Sequence, residues 1–246
     1  MVVIVTALLF VTRKVRKQLA RAFPQPAEQA IVRTGGSVIA HQPEAREIGE
    51  AILRAGGNAF DAFVATAVAV NVMAEGTSSL AGPLGVLIYR AQDKHLMYLD
   101  ADFNDPLDPS RCQTANAQKP GPGILVPGAP AGLEALSKRY GKLPFSDLLR
   151  PSIALAEDGF PISRMMAGFI SKYAKLLKKT SYGRSTFFHN DKPLKAGETL
   201  RQPEVAEFLR KLAKEGSAYV YDGEWGNSFL SVVEANGGCL KDADLK

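Results

Sequence analysis

The sequence predicts a helix-rich α/β domain, and three observations carry that reading. Residues 43–73 hold an amphipathic helix, a double glycine and a second helix that is apolar nearly all round. Residues 84–100 hold two short β-like runs about a polar turn, and residues 130–245 hold a series of apolar stripes at helical spacing. A helix without a polar face must be covered on every side, so the rest of the chain has to supply the cover. With 246 residues it has enough length for a substantial core, in one domain or two.

The elements follow in order. Ala45, Ile48, Ile52 and Ala55 recur at helical spacing, which gives the first helix one apolar stripe and one charged face. Gly56 and Gly57 stop it, and Gly57 is expected to hold the left-handed cap that a β-branched side chain resists. Asn58 then caps the second helix, with Asp61 in its first turn, where a negative charge suits the helix dipole. Residues 75–83 form a loop of small residues. Leu84–Arg90 reads as a strand, residues 91–94 as a polar turn and residues 95–100 as the returning strand of a hairpin. Residues 101–123, rich in Asp, Asn, Pro and Gly, read as an irregular surface segment.

Pro130 suits the first turn of a helix that runs to Tyr140. Three further stripes follow. The first is Met166, Phe169, Ile170, Tyr173, Leu176 and Leu177, with Lys172, Lys175, Lys178 and Lys179 on the other, solvated faces. The second is Val205, Phe208, Leu209 and Leu212, and the third is Trp225, Phe229, Val232 and Val233. Each stripe reads as core packing.

The net charge of +5 is not spread evenly. Residues 1–34 carry six Lys and Arg against one Glu, and the remaining 212 residues balance 24 basic against 24 acidic groups. The body therefore gives no electrostatic footprint for nucleic acid. The chain divides into a tail and linker, residues 1–34, and a domain, residues 35–246. Residues 2–11 are almost wholly apolar, but a bilayer span needs ~20 such residues. The basic cluster follows the apolar run, whereas a signal peptide places it before. A signal, a membrane-surface anchor through residues 1–21 and a misassigned start all stay open. So does the compartment, with export or membrane association slightly ahead of the cytoplasm.

Cys112 and Cys239 form no framework, and two unpaired thiols are favoured over a single disulfide. His41, His95 and His189 are scattered, so no metal site is expected. Gly121-Pro122-Gly123 lacks the third glycine of a dinucleotide fingerprint, and no Gly-Lys-Ser/Thr triplet exists. Gly76-Thr77-Ser78-Ser79-Leu80 fails the nucleophile-elbow pattern at its last position. No cofactor is expected.

Several phrases, taken together, resemble one family. From Ala45 the chain reads A-x-x-I-G-x-x-I-L-x-x-G-G-N-A-x-D-A-x-V-A, followed by Val126-Pro127-Gly128 with Gly132 four residues on. Tyr140-Gly141-Lys142-Leu143-Pro144 and Leu155-Ala156-Glu157-Asp158-Gly159-Phe160 come next. Gly197-Glu198-Thr199-Leu200-Arg201-Gln202-Pro203, Tyr221-Asp222-Gly223, Asn236-Gly237-Gly238 and Lys241-Asp242-Ala243-Asp244-Leu245 complete the series. In this order, from about Ser37 to the end, they resemble the large-subunit region of the γ-glutamyltransferase family of N-terminal nucleophile hydrolases.

The resemblance implies the N-terminal part of a four-layer αββα fold, incomplete in this chain. It implies an acyl transferase or hydrolase acting on a γ-glutamyl or related acyl-amide small molecule, without a cofactor. The nucleophile of such an enzyme is a threonine freed by precursor cleavage, whose own α-amino group can serve as the base. The family carries it in a C-terminal small-subunit half, which is the expected partner, so residues 1–246 alone are expected to be inactive. Ser185-Thr186-Phe187-Phe188-His189 superficially matches the nucleophile motif but falls too early in the order. His41 stands at a family turn, where a structural hydrogen-bonding role is expected.

Two departures matter. Where the family keeps a run of bare glycines, this chain has Leu80-Ala81-Gly82-Pro83-Leu84-Gly85, and Pro83 fixes φ and adds bulk. Where the family sets an arginine in D-x-R-E-x-A-P to pair with the substrate's α-carboxylate, this chain reads Asp100-Ala101-Asp102-Phe103-Asn104-Asp105-Pro106. Asp102 is the candidate substrate-binding residue, with the charge inverted; Arg90 and Arg111 are the alternative anchors. The competing reading is a non-catalytic fragment or degenerate paralogue that serves as a binding or interaction module.

Overall fold

The nearly featureless apolar pattern of residues 59–73 sets the architecture. In the computed structural model, which describes residues 36–73, 78–112 and 121–246, this segment is the central helix. Helix α1 spans Pro43–Arg54 and α2 spans Ala59–Met73. Along α2, Ala62, Val64, Ala65, Val68, Ala69 and Val72 are all buried. Each buried Val is worth roughly 1.5–3 kcal/mol over leaving it exposed. The cover comes from α1, from α3 (Ala129–Tyr140) and from α4 (Phe145–Asp158). Helix α8 (Pro203–Glu215) lies on the far side of α4, with Ala206, Leu209 and Leu212 buried.

The junction between α1 and α2 differs from the expectation in one respect. The left-handed residue is Gly56, with φ +94°, and Gly57 is not in that region. Gly57 donates to Ile52 O at 3.0 Å and Gly56 to Leu53 O at 3.2 Å, the paired bonds of a Schellman cap. Gly57 is fixed by crowding instead. A Cβ there would stand 2.8 Å from Ile52 Cγ2 and 2.9 Å from Ile52 O.

Asn58 caps α2 as expected, its Oδ1 accepting from the N–H groups of Phe60 (2.9 Å) and Asp61 (3.1 Å). Asp61 does more than face a dipole. Its carboxylate is fully buried and returns a capping-box bond, accepting from Asn58 N at 2.8 Å. Both oxygens also accept from Lys142 N at 3.0 Å, and Oδ1 accepts from Leu143 N at 3.4 Å. Asn58 Nδ2 donates to Tyr140 O at 2.6 Å. One Asn–Asp pair thus pins the α3–α4 turn to the start of α2.

Strands β1 (Leu84–Arg90) and β2 (His95–Ala101) pair antiparallel from Leu84↔Ala101 to Arg90↔His95. Val86 and Ile88 point to the core, with Met97 and Leu99 packed beside them. The opposite face carries Leu87, Tyr89, Leu96 and Tyr98, each more than 60% exposed. Among the described residues both outer edges of this hairpin are unpaired.

After α4 the chain makes short pieces. Strand β3 (Phe160–Pro161) pairs with β6 (Thr199–Leu200), so the phrases around Gly159 and Gly197 are spatial partners. Between them lie α5 (Arg164–Lys172), α6 (Ala174–Leu177), α7 (Ser181–Phe187) and the pair β4 (Phe188–His189) with β5 (Lys192–Pro193). The chain ends with α9 (Ala218–Tyr221), α10 (Glu224–Ala235) and a 3-10 turn at Asp242–Leu245.

Three expectations are corrected here. Cys112 and Cys239 are joined in a disulfide across 127 residues, where two thiols were favoured. Residues 101–123 are not wholly irregular: Asn104 bridges Val126, and Pro109–Arg111 makes a 3-10 turn. That turn docks beside the C-terminal segment, which brings the two cysteines to a Cα separation of 5.1 Å. The stripe at 166–177 also splits: Met166 and Ile170 are buried, but Tyr173 and Leu176 are exposed. The tail readings, residues 75–77 of the small-residue loop and residues 113–120 of the surface segment lie outside the described residues.

Removing the Asp61 carboxylate leaves the N–H groups of Asn58 and Lys142 without their charged acceptor. Asp61→Ala should lower the unfolding free energy by about 2–4 kcal/mol, since hydrogen bonds to a charged group contribute ~1.5–3 kcal/mol each. Urea denaturation of the two proteins checks this, with Asp61→Asn expected in between.

Candidate functional site

A cleft of about 980 Å³ opens where β2 ends. Its floor is a tight backbone packing that the glycines of the 126–132 phrase make feasible. Asn104 and Val126 exchange two backbone hydrogen bonds of 3.0 Å, which lays the turn after β2 along the approach to α3. A Cβ on Gly128 would run into the carbonyl oxygens of Ala101 and Asp102, and one on Gly132 would meet Ala101 Cβ at 2.5 Å. Only bare backbone lets the first turn of α3 sit against the end of β2. Ala129 N donates to Gly82 O at 3.0 Å, so the loop before β1 is tied to the same point.

Tyr221 closes the wall opposite. Its hydroxyl donates to Pro127 O at 2.6 Å and accepts from Ala131 N at 3.3 Å. Burial pushes its phenol above the ordinary value, and the Ala131 N–H opposes that shift. Asp244, buried, forms the rest of the wall. It accepts from Leu107 N (2.8 Å), Lys241 N (2.6 Å) and the Arg111 guanidinium (3.1 Å). Burial acts to raise the carboxyl pKa, but these donors outweigh it and hold Asp244 below its usual value.

Asp102 stands exposed on the lining of this cleft, beside Asp100 and Phe103. Its backbone N–H donates to Asp100 Oδ1 at 3.2 Å, and its Oδ1 accepts from Phe103 N at 2.7 Å. No cation pairs with it among the described residues. Neither alternative anchor reaches it. Arg90 sits at the opposite end of the hairpin, about 20 Å away at ~3.3 Å per residue, and is paired with Asp93. That hydrogen bond holds Asp93 at about 2. Arg111 is committed to Asp244 and Asp108. The cleft lining carries Asp100, Asp102, Asp222 and Asp244 against the single amine of Lys246, which pairs with Asp242.

Other candidates separate. Thr186 is buried within α7, so neither its hydroxyl nor its amide is presented as a nucleophile. His41 is exposed and makes no hydrogen bond among the described residues, contrary to the structural role expected of it. Among the described residues no cluster of His, Cys, Asp or Glu converges in a way that could hold a metal. Tyr221 and Asp244 lay inside recognised phrases, but nothing in their spacing assigned them to one wall.

The γ-glutamyltranspeptidase family model matches residues 45–246. The chain is 34% identical over 215 residues to glutathione hydrolase 3 of Arabidopsis thaliana, covering 86% of this chain and 34% of that protein. It is 35% identical over 188 residues to the capsule biosynthesis protein CapD proenzyme of Bacillus anthracis, covering 76% of this chain and 33% of that protein. The chain thus spans about a third of the length of these two relatives. Among solved structures, the γ-glutamyltranspeptidase of Helicobacter pylori superposes with a TM-score of 0.74 at 28% identity, covering 85% of this chain and 63% of that one. The helix-rich α/β arrangement is therefore part of the fold that these N-terminal nucleophile hydrolases share.

The Asp244 wall should respond to acid in a defined direction. Its folded pKa lies below the unfolded value of about 3.9, so its stabilisation is complete above that range and is lost as pH falls through the folded value. The stability gap between the natural chain and Asp244→Asn should be full near neutrality and shrink below about pH 4. Urea midpoints across that range check it.

Proposed function

The chain belongs to the γ-glutamyltranspeptidase family, and from that premise we propose that residues 35–246 form the large-subunit region of an acyl transferase or hydrolase whose threonine nucleophile lies outside these 246 residues. The exposed apolar face and unpaired edges of the β1–β2 hairpin support this reading. A face carrying Leu87, Tyr89, Leu96 and Tyr98 has the character of one that another sheet covers. The partner is then the small-subunit half, which completes the sheet and brings the threonine.

The acyl donor of this enzyme lacks a free α-carboxylate. The observation that carries this is the position of Asp102 on the cleft, with both candidate arginines committed elsewhere. An arginine offers a carboxylate a directional fork of donors. Asp102 offers acceptors and a negative charge, and Asp100 beside it adds to the repulsion. Pro83, in the loop held to α3 through Gly82, reshapes the same end of the hairpin. Discrimination by such polar contacts is large because the wrong partner leaves charges unpaired.

The test has two arms. The purified 246-residue chain should not turn over a γ-glutamyl anilide, and turnover abolished by a point substitution within it would contradict the division of labour. The complete protein should prefer acyl amides without an α-carboxylate over glutathione, and Asp102→Arg should raise glutathione turnover by at least tenfold. A strong preference of the natural protein for glutathione would overturn the substrate reading.

A further inference from the structure

The lobe that follows α4 has a charge pattern unlike the rest of the body. Between Asp158 and Asp191 there is no acidic residue, while Arg164, Lys172, Lys175, Lys178, Lys179 and Arg184 fall within that interval. Lys178 is paired with Asp191 at 2.6 Å, and Arg184 donates to Lys178 O. Arg164, Lys172, Lys175 and Lys179 make no ion pair among the described residues, and all four are exposed.

The same surface is apolar along its ridge. Helices α5 and α6 are almost continuous through Tyr173, whose N–H donates to Phe169 O at 2.9 Å and whose carbonyl accepts from Leu177 N at 3.0 Å. Met165, Phe169, Tyr173 and Leu176 follow one another at helical spacing, so they share a face. Met165 is 50% exposed, Tyr173 45% and Leu176 59%, while Met166 and Ile170 are buried and, with Ala167, anchor α5 to the core. Phe169 and Tyr173 stack at 6.3 Å, and Lys172 Nζ lies 5.1 Å from the Tyr173 ring. The result is an apolar ridge with an aromatic centre, flanked by unpaired lysines.

We propose that the α5–α6 ridge is a docking surface for an anionic lipid bilayer. The occupant is chosen by the combination of features. A soluble polyanion would use the lysines but has no need of exposed Tyr173 and Leu176. A bilayer interface uses both, since tyrosine settles at headgroup depth and lysines extend their amines to the phosphates. No helix among the described residues is long and apolar enough to cross a membrane, so the contact is peripheral. The basic cluster of residues 13–17 could itself attract anionic lipid, so the test is run with and without it.

The experiment is co-sedimentation of the full chain with vesicles of phosphatidylcholine alone, or of equal parts phosphatidylcholine and phosphatidylglycerol. It is run on the natural tail and on a chain with Arg13, Lys14, Arg16 and Lys17 changed to Gln. Binding should be confined to the anionic vesicles in both. K172A/K175A/K179A should weaken it on the order of a hundredfold, at roughly fivefold per lysine near an anionic surface. Y173S/L176S should weaken vesicle binding by at least tenfold and leave retention on heparin unchanged. All five residues are exposed, and thermal melts matching the natural chain serve as the control. As a second readout, Tyr173→Trp should add emission that shifts to the blue with anionic vesicles only. Equal binding to neutral vesicles, or full binding by the lysine variant, would overturn the proposal. So would an unchanged vesicle affinity of Y173S/L176S, which would identify a polyanion site instead.

Discussion

The buried carboxylate of Asp61 is the constraint on which the rest of the structure depends. It lies at the start of a helix with no polar face and accepts hydrogen bonds from two separate segments, the α2 cap and the α3–α4 turn. A buried carboxylate without partners would cost several kcal/mol, so its donors and its burial require each other. Asn58 reinforces the link by donating across to Tyr140 O. With that junction closed, α1 and α2 on one side and α3 and α4 on the other are held in a single arrangement.

Helix α3 carries this constraint to the cleft. Its C-terminal end is held by Asn58 and Asp61, and its N-terminal end rests on β2 through Gly128 and Gly132. A rod fixed at both ends sets the distance between the core and the turn that bears Asp102. Tyr221 then fastens the Pro127 carbonyl from the opposite wall, and Asp244 gathers the 107–111 segment against the C-terminal turn. The cleft is thus walled by hydrogen-bonded backbone and lined by the carboxylates of Asp100, Asp102, Asp222 and Asp244.

Much of this was legible in the sequence, for reasons that differ by element. The two N-terminal helices and the hairpin announce themselves through local periodicity, and the observed strands match the expected bounds to within one residue. The cap by Asn58 is likewise local. The role of Asp61 was only half readable, because its partners at 142 and 143 lie some 80 residues away and are backbone groups with no side-chain signature. Gly56 and Gly57 looked interchangeable in sequence, yet one is selected by its φ and the other by crowding from Ile52. The disulfide was missed because spacing in sequence says nothing about a Cα distance set by the C-terminal turn. The stripe at 166–177 was misassigned because helical periodicity shows that a face is apolar, and not what covers it.

Amide hydrogen exchange at Lys142 and Asn58 tests the central claim most directly, since those N–H groups bind the Asp61 carboxylate. If the carboxylate closes the junction, both amides will exchange only through global unfolding, with the same free energy of opening as the core amides of Val64 and Val68. Fast exchange of Lys142 through local opening, while α2 remains fully protected, would show that the α3–α4 turn is not held by Asp61 and would contradict the account.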